Sequence, residues 1–350
     1  EYGKNNFRCP VHLSIGQEGI SAPINLIFNK SDLLVSSHRA HAHYIGKGCS
    51  VKKLLAEISG LVGCSGGIGG SMHLTDKTKG FIRKMLKIIL LPYFYTAKYS
   101  LKQADFLTAI TPKFLNWSEN FSNNFNKNNQ TLYLVPNIRE VPEEKLDENL
   151  LWWKEKVGID IKQKNKLIFT GNINNAYNFH DLILAFLNPK LEKSNFEVLI
   201  CGEGDCKKEL EDKLKDKTNI FFPGWIDYEK LLALKKISIA TLAPYRNTSD
   251  FQMSIPNKII DSLSFGLPII TSLKGEVENL IKEYNVGYFC GEKYTWTDQV
   301  ESCLNDQIKR IEISKNAKSL YNKKFNSDLI YGKFIEFIEE NYDKNKDLKE

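Results

Sequence analysis

The sequence predicts an α/β protein whose C-terminal half is a doubly wound, Rossmann-like parallel sheet. Three observations predict it. Short apolar runs alternate with helical patterns from about Leu167 to Gly291, which is how a parallel sheet with crossover helices reads. The runs end in glycine or in polar loops, where an open parallel sheet keeps its ligand sites. One helix of the series opens on Pro256 with a cation in its first turn, against the helix macrodipole.

In chain order, KLIFTG is the first strand, ending at Gly171, and DLILAFL its helix. FEVLICGEG, with Gly202 and Gly204, leads to KKELEDKL, and NIFFPG leads to EKLLALKK. ISIATLAP is a fourth strand and LPIITS a fifth. In the loop GNINNAYNF, Gly171 lets the backbone approach a ligand, whereas Gly202 and Gly204 serve either a ligand or a tight turn. Trp225, just past NIFFPG, has two readings, stacking on a flat ring and a place in the core.

The segment DFQMSIPNKIIDSLSFGLPII carries the most chemistry. Pro256 suits a first helical turn, Ser254 stands just upstream, and the first N–H groups of a helix have no partners within it. Lys258 beside that positive end makes sense with an anion between them. Asp261 shares its face, and the plainer reading is a Lys–Asp surface pair worth about 0.2–0.5 kcal/mol.

Ahead of the sheet, KQADFLTAITPKFLNW reads as a helix, a short strand FLTAIT and a helix opened by Thr111 and Pro112. A strand LYLVP, then Asn137 and the amphipathic LLWWKEKVGI follow. The run Arg83–Lys102 holds five cations and no acid around IILLPYFY. It is too short to span a bilayer and Pro92 interrupts it. It reads either as a buried helix with solvated ends or as a peripheral membrane contact.

The first 82 residues differ in composition, holding five of the six histidines and 12 of the 22 glycines. A shift this abrupt marks a seam. The net charge of +6 comes with no sustained basic face, which excludes nucleic acid as a partner. Seven cysteines without CxxC spacing suit reduced thiols, hence a cytoplasmic protein, at the inner face of the membrane if 83–102 makes the contact. No secretory leader is visible, and the chain opens on Glu1 in mid-pattern, as a fragment would. His38, His41 and His43 lack a nearby carboxylate or cysteine, so no metal site is expected. The glycine loop at 63–70 lacks the Gly-Lys-Ser/Thr ending of a phosphate-binding loop.

Through HLSIGQEG, SHRAHAHYIGKG and the GGSMH loop, residues 7–82 resemble the alpha subunit of thiamine-diphosphate-dependent 2-oxo acid dehydrogenases. The resemblance implies a truncated α/β fragment in which Arg39 and His41 lie near the cofactor pyrophosphate and the reacting centre, with His38 where tyrosine is usual. It also implies thiamine diphosphate and Mg2+. The Gly-Asp-Gly segment ending in Asn that holds both in that family is missing after residue 82, so this chain by itself is expected to bind neither.

Residues 85–345 resemble the family 4 retaining glycosyltransferases, of the two-domain type called GT-B. That resemblance implies a nucleotide-sugar donor bound by Gly171, Asn172, Gly202, Gly204, Ser254, Lys258 and Asp261, with Trp225 stacking on the base. Asp261 stands where the ribose-binding acid is usually Glu, Met253 replaces the first motif acid, and Asn172 and Asn178 replace two cations. A branch with a Gly-Asn-Ile loop and a Pro-x-Lys helix start shares these departures, and there the helix N-terminus and Lys258 meet the diphosphate. With no Asp-x-Asp in the chain, no metal or other cofactor is expected for this part. Catalytic groups and acceptor are unassigned.

The expected organisation is a dehydrogenase-like fragment at 1–82, a remnant of the acceptor domain and hinge at 83–135, a nucleotide-sugar-binding domain at 136–330, and a C-terminal helix and tail at 331–350. About 50 residues are too few for a complete acceptor domain. The expected function is hexosyl transfer in surface polysaccharide synthesis, incomplete in a single chain. The alternatives are a 2-oxo acid oxidoreductase fragment and an inactive fusion of the two.

Overall fold

The computed structural model describes residues 91–136, 141–162 and 165–346. Arg39, His41, the histidine cluster, the glycine loop at 63–70 and Asn137 lie outside the described residues. The chain forms two compact units, residues 1–107 with 116–130, and residues 108–115 with 131–350.

The first unit contains helix α1 (Leu91–Lys102). Of the run 83–102 only 91–102 lies within the described residues, and there the buried-helix reading is not met. Leu91, Phe94, Tyr95 and Tyr99 are exposed, and Phe94 meets Phe121 edge-on with ring centroids 4.9 Å apart. Asn124 closes the helix end by donating to the carbonyls of Leu101 and Ala104. No described helix is long and apolar enough to cross a membrane.

Helix α2 (Pro112–Ser122) starts where Thr111 predicts, since the Thr111 hydroxyl accepts from Phe114 N–H at 3.2 Å. The neighbouring strands shrink. FLTAIT contributes only Thr108–Ala109, and LYLVP forms no strand beyond Thr131. Leu132 still donates to the Ala109 carbonyl, but Tyr133 and Leu134 pack sideways on the core of the second unit instead of extending a ladder. Helix α3 (Glu143–Trp152) then runs into a wide turn that ends at Gly158, with φ +82°.

The second unit holds six parallel strands, β1 (Lys166–Thr170), β2 (Glu197–Cys201), β3 (Ile220–Gly224), β4 (Ala240–Ala243), β5 (Ile269–Thr271) and β6 (Gly287–Phe289). Their order is β3-β2-β1-β4-β5-β6, the doubly wound arrangement whose winding reverses between β1 and β4. The expectation of five strands missed β6. It is three residues long and becomes a strand only through its register with β5, Ile269 opposite Gly287.

Alternation along the strands sorts the core. Leu167 and Phe169 of β1 join one cluster with Leu182 and Phe186 of helix α4 (Phe179–Leu187). Helix α5 (Lys207–Leu214) adds Leu210 and Leu214 to the same cluster. Ile168 joins another cluster on the opposite face, with Trp153 and with Leu234 of helix α6 (Tyr228–Lys236). After β4 come the short helix α7 (Ser249–Met253) and helix α8 (Asn257–Ser264), whose Ile259, Ile260 and Leu263 build a third cluster. Helix α9 (Glu276–Tyr284) extends that cluster, and helix α10 (Trp296–Asn305) returns to the first. Helices α11 (Gln307–Leu320) and α12 (Ser327–Lys346) finish the chain.

Candidate functional site

The carboxyl ends of β1, β2 and β3 are tied together by backbone hydrogen bonds. Gly171 N–H donates to Cys201 O at 3.0 Å, Gly202 N–H to Gly224 O at 2.7 Å, and Ile173 N–H to Glu203 O at 2.8 Å. Gly171, Gly202 and Gly204 have φ of +136°, +145° and +152°, a region open to glycine and little else. A Cβ at Gly202 would lie 1.9 Å from Gly171 O, and one at Gly204 would lie 2.3 Å from Ile173 O. Loop-against-loop packing is therefore what requires Gly202 and Gly204. Asn172 is exposed on this surface, while Asn178 ends the loop, donating to Asp181 at 2.7 Å ahead of α4.

Trp225 follows β3 and is 75% exposed. The core reading of this residue is thereby excluded, and a free indole face stands at the carboxyl edge of the sheet.

Helix α8 begins one residue later than expected, with Pro256 at the cap position, φ −60° and ψ 146°, and no side-chain cap. Its first N–H groups face outward without a side-chain partner. Ser254 ends α7, its hydroxyl donating to Phe251 O. Met253, in the place of the absent acid, offers its carbonyl to the Thr111 hydroxyl.

Lys258 lies otherwise than the sequence suggests. Its Nζ is buried among three rings near the switch point between β1 and β4. Nζ sits 3.6 Å from the centroid of Phe169, 4.4 Å from that of Tyr177 and 5.7 Å from that of Tyr245. It has no hydrogen-bond partner among the described residues. The plainer alternative, a surface pair with Asp261, is not made. Asp261 accepts instead from Lys235 Nζ at 2.5 Å, and Lys235 is itself buried in α6. A helix offers both faces to its neighbours, so i,i+3 spacing permits a pair without compelling it.

Two effects compete for the charge state of Lys258. Ring faces attract an ammonium by about 2 kcal/mol or more when desolvated. Removing an ammonium from water without an acceptor costs several kcal/mol, and that cost wins. Burial holds the Lys258 amine well below the ordinary lysine range, with Asp261 opposing weakly. Burial likewise raises Tyr177 and Tyr245 above the usual phenol range.

The sign for stability follows. Burial holds the Lys258 amine lower in the fold than in the unfolded chain, which keeps it charged up to about pH 10, so over that interval unfolding takes up protons and this residue's contribution rises with pH. Cys201 and Cys303, pushed up to about 12 by burial, act oppositely above about pH 8.5, where unfolded thiols ionise. Lys258→Met keeps the cage filled without the amine. It is expected to melt higher than the wild type near neutrality, the gap closing toward about pH 10. Thermal melts across that range check this, and a gap independent of pH would mean the amine is charged in the fold.

A groove of about 880 Å³ runs along the carboxyl ends of β4 to β6, lined among others by Asn178, Asp181, Tyr245, Arg246 and Lys274. Among the described residues no three His, Cys, Asp or Glu side chains cluster to hold a metal. Sequence reasoning missed Phe169, Tyr177, Tyr245 and Lys235. The two tyrosines, just past the ends of β1 and β4, were the available signal.

The sequence of residues 153–320 matches the family described as glycosyl transferases group 1. Those residues are a glycosyl transferases group 1 domain. The described residues have a GT-B glycosyltransferase-like α/β fold with a parallel sheet. WaaG, described as a glycosyltransferase involved in lipopolysaccharide biosynthesis, superposes with a TM-score of 0.53 at 19% identity, over 75% of this chain and 70% of its own. Anabaena HepE, solved with UDP and glucose, gives 0.54 at 14% identity, over 71% and 67%. A glycosyltransferase from Rickettsia africae gives 0.54 at 14%, over the same shares.

Ahead of the glycosyl transferase domain, residues 1–90 match the family described as dehydrogenase E1 component. The pyruvate dehydrogenase E1 alpha subunits of Rickettsia bellii and Rickettsia typhi are 43% identical over 81 residues and 46% identical over 76. This chain spans about a quarter of the length of those relatives, 25% and 23%.

Proposed function

We propose that the glycosyl transferase domain binds a nucleotide-diphosphate sugar for retaining glycosyl transfer in surface polysaccharide synthesis. The observation that carries this reading is Lys258. An unpartnered amine lies buried beneath Gly171, beside a helix start with no side-chain cap, and both features call for an anion. The diphosphate would meet that helix start and Lys258, the base would stack on Trp225, and Asp261 would reach the ribose from its pair with Lys235. Gly171, Asn172 and the Gly202–Gly204 turn would form the floor. The nucleotide held by HepE and the lipopolysaccharide role of WaaG favour this donor class and product class.

Lys258→Ala is expected to weaken nucleotide-sugar affinity by about 1.5–3 kcal/mol, the range for a hydrogen bond to a charged group. Titration of the full chain with UDP-, GDP- and dTDP-sugars measures it, and equal affinity for variant and wild type would refute the assignment. Residues 83–135 are shorter than a full acceptor domain, so donor binding is the step assigned to this chain. Residues 1–90 are assigned no part in thiamine diphosphate chemistry. Tight Mg2+-dependent binding of that cofactor in calorimetry would overturn the second assignment.

A further inference from the structure

Resting on the donor-binding reading above, we infer that the donor diphosphate is recognised by an amine that is neutral in the empty site and takes up one proton as the ligand arrives. Donor binding is thereby coupled to proton uptake.

The geometry of the cage is the argument. Three elements around Lys258 Nζ present it with aromatic rings, and among the described residues none gives it a hydrogen bond. Strand β1 supplies Phe169, the loop after β1 supplies Tyr177, and the end of β4 supplies Tyr245. Both phenols stay protonated at neutrality, since burial raises them. From its own helix the nearby charge is Asp261, already engaged by Lys235 of α6. Charge on Nζ therefore has the ring faces and a distant, already paired Asp261 to offset its loss of water, and no hydrogen-bond acceptor.

A diphosphate changes that balance. Its oxygens are the acceptors that the cage lacks, and its negative charge favours the ammonium over the amine. Gly171 is a thin cover over the amine: a side chain there would begin 3.3 Å from Nζ, Gly171 is itself exposed, and Nζ, buried in the empty site, turns toward the ligand on binding. Solvent supplies the proton, the amine becomes an ammonium, and only hydrogen bonds form to the ligand. Phe169, Tyr177 and Tyr245 become positioning residues, keeping water from the amine until an anion arrives.

The test is calorimetry on the full chain with UDP-, GDP- and dTDP-glucose, whose diphosphate diesters do not titrate near neutrality, in buffers of different ionisation enthalpy. The expected result is uptake of about one proton per ligand bound, with affinity falling by up to about tenfold per pH unit as pH rises, both lost in Lys258→Met. The 13Cε resonance missing from that variant should move from an amine to an ammonium position on binding. Binding without proton exchange would overturn the inference and leave the donor reading standing. Binding of none of the three would remove both.

Discussion

Gly202→Ala is expected to destabilise the protein by about 2–6 kcal/mol, the sum of overpacking at about 1–3 kcal/mol and a forced φ at about 1–3 kcal/mol. The new Cβ would lie 1.9 Å from the Gly171 carbonyl, and backbone cannot rotate aside as a flexible side chain can. Relief requires the loops after β1 and β2 to part, breaking the bonds from Gly171 to Cys201 and from Gly202 to Gly224. Gly158→Ala is the matched control. It shares a positive φ of +82° but meets nothing within 4 Å, so only the backbone term of about 1–3 kcal/mol applies. Urea unfolding of both variants measures the difference, and equal losses would show that the loops are not interlocked.

Trp153→Ala is expected to cost about 3–5 kcal/mol, the range for emptying a buried aromatic site. Trp153 is fully buried, its Nε1–H donates to the Lys230 carbonyl at 2.8 Å, and it packs with Ile168, Leu199 and Leu234. The side chain thus ties the turn after α3 to both the sheet and α6. Trp153→Phe keeps most of the ring and leaves one carbonyl without its donor, a loss of about 1–3 kcal/mol. Melting of the two variants separates packing from hydrogen bonding. A Trp153→Ala protein as stable as the wild type would mean that α3 is not anchored there.

The pairing of Trp153 with Trp225 shows where sequence reading stops. Both follow apolar or amphipathic words, yet one is wholly buried and the other 75% exposed. The amphipathic pattern around Trp153 spans enough turns to reveal a buried face. Trp225 stands alone after a strand, and no periodicity covers one residue. The short strands fail for a related reason. Thr108–Ala109 and Gly287–Phe289 are too brief for a period-two pattern, and only a neighbouring strand makes them strands.

The chain by itself determined the parallel sheet, five of its six strands, the helices after the first three, the helix start beside Pro256, and the two families joined within it. Those are local properties, set by strand and helix periods, by proline and glycine chemistry and by contiguous words. Tertiary structure decided what the site residues do. Spacing placed Lys258 and Asp261 on one face, but the fold gave Asp261 to Lys235 and sent Lys258 into a cage of rings drawn from β1, its loop and the end of β4. Which charge meets which partner depends on groups far apart in sequence and on the energy of leaving water, and neither is written in a local pattern.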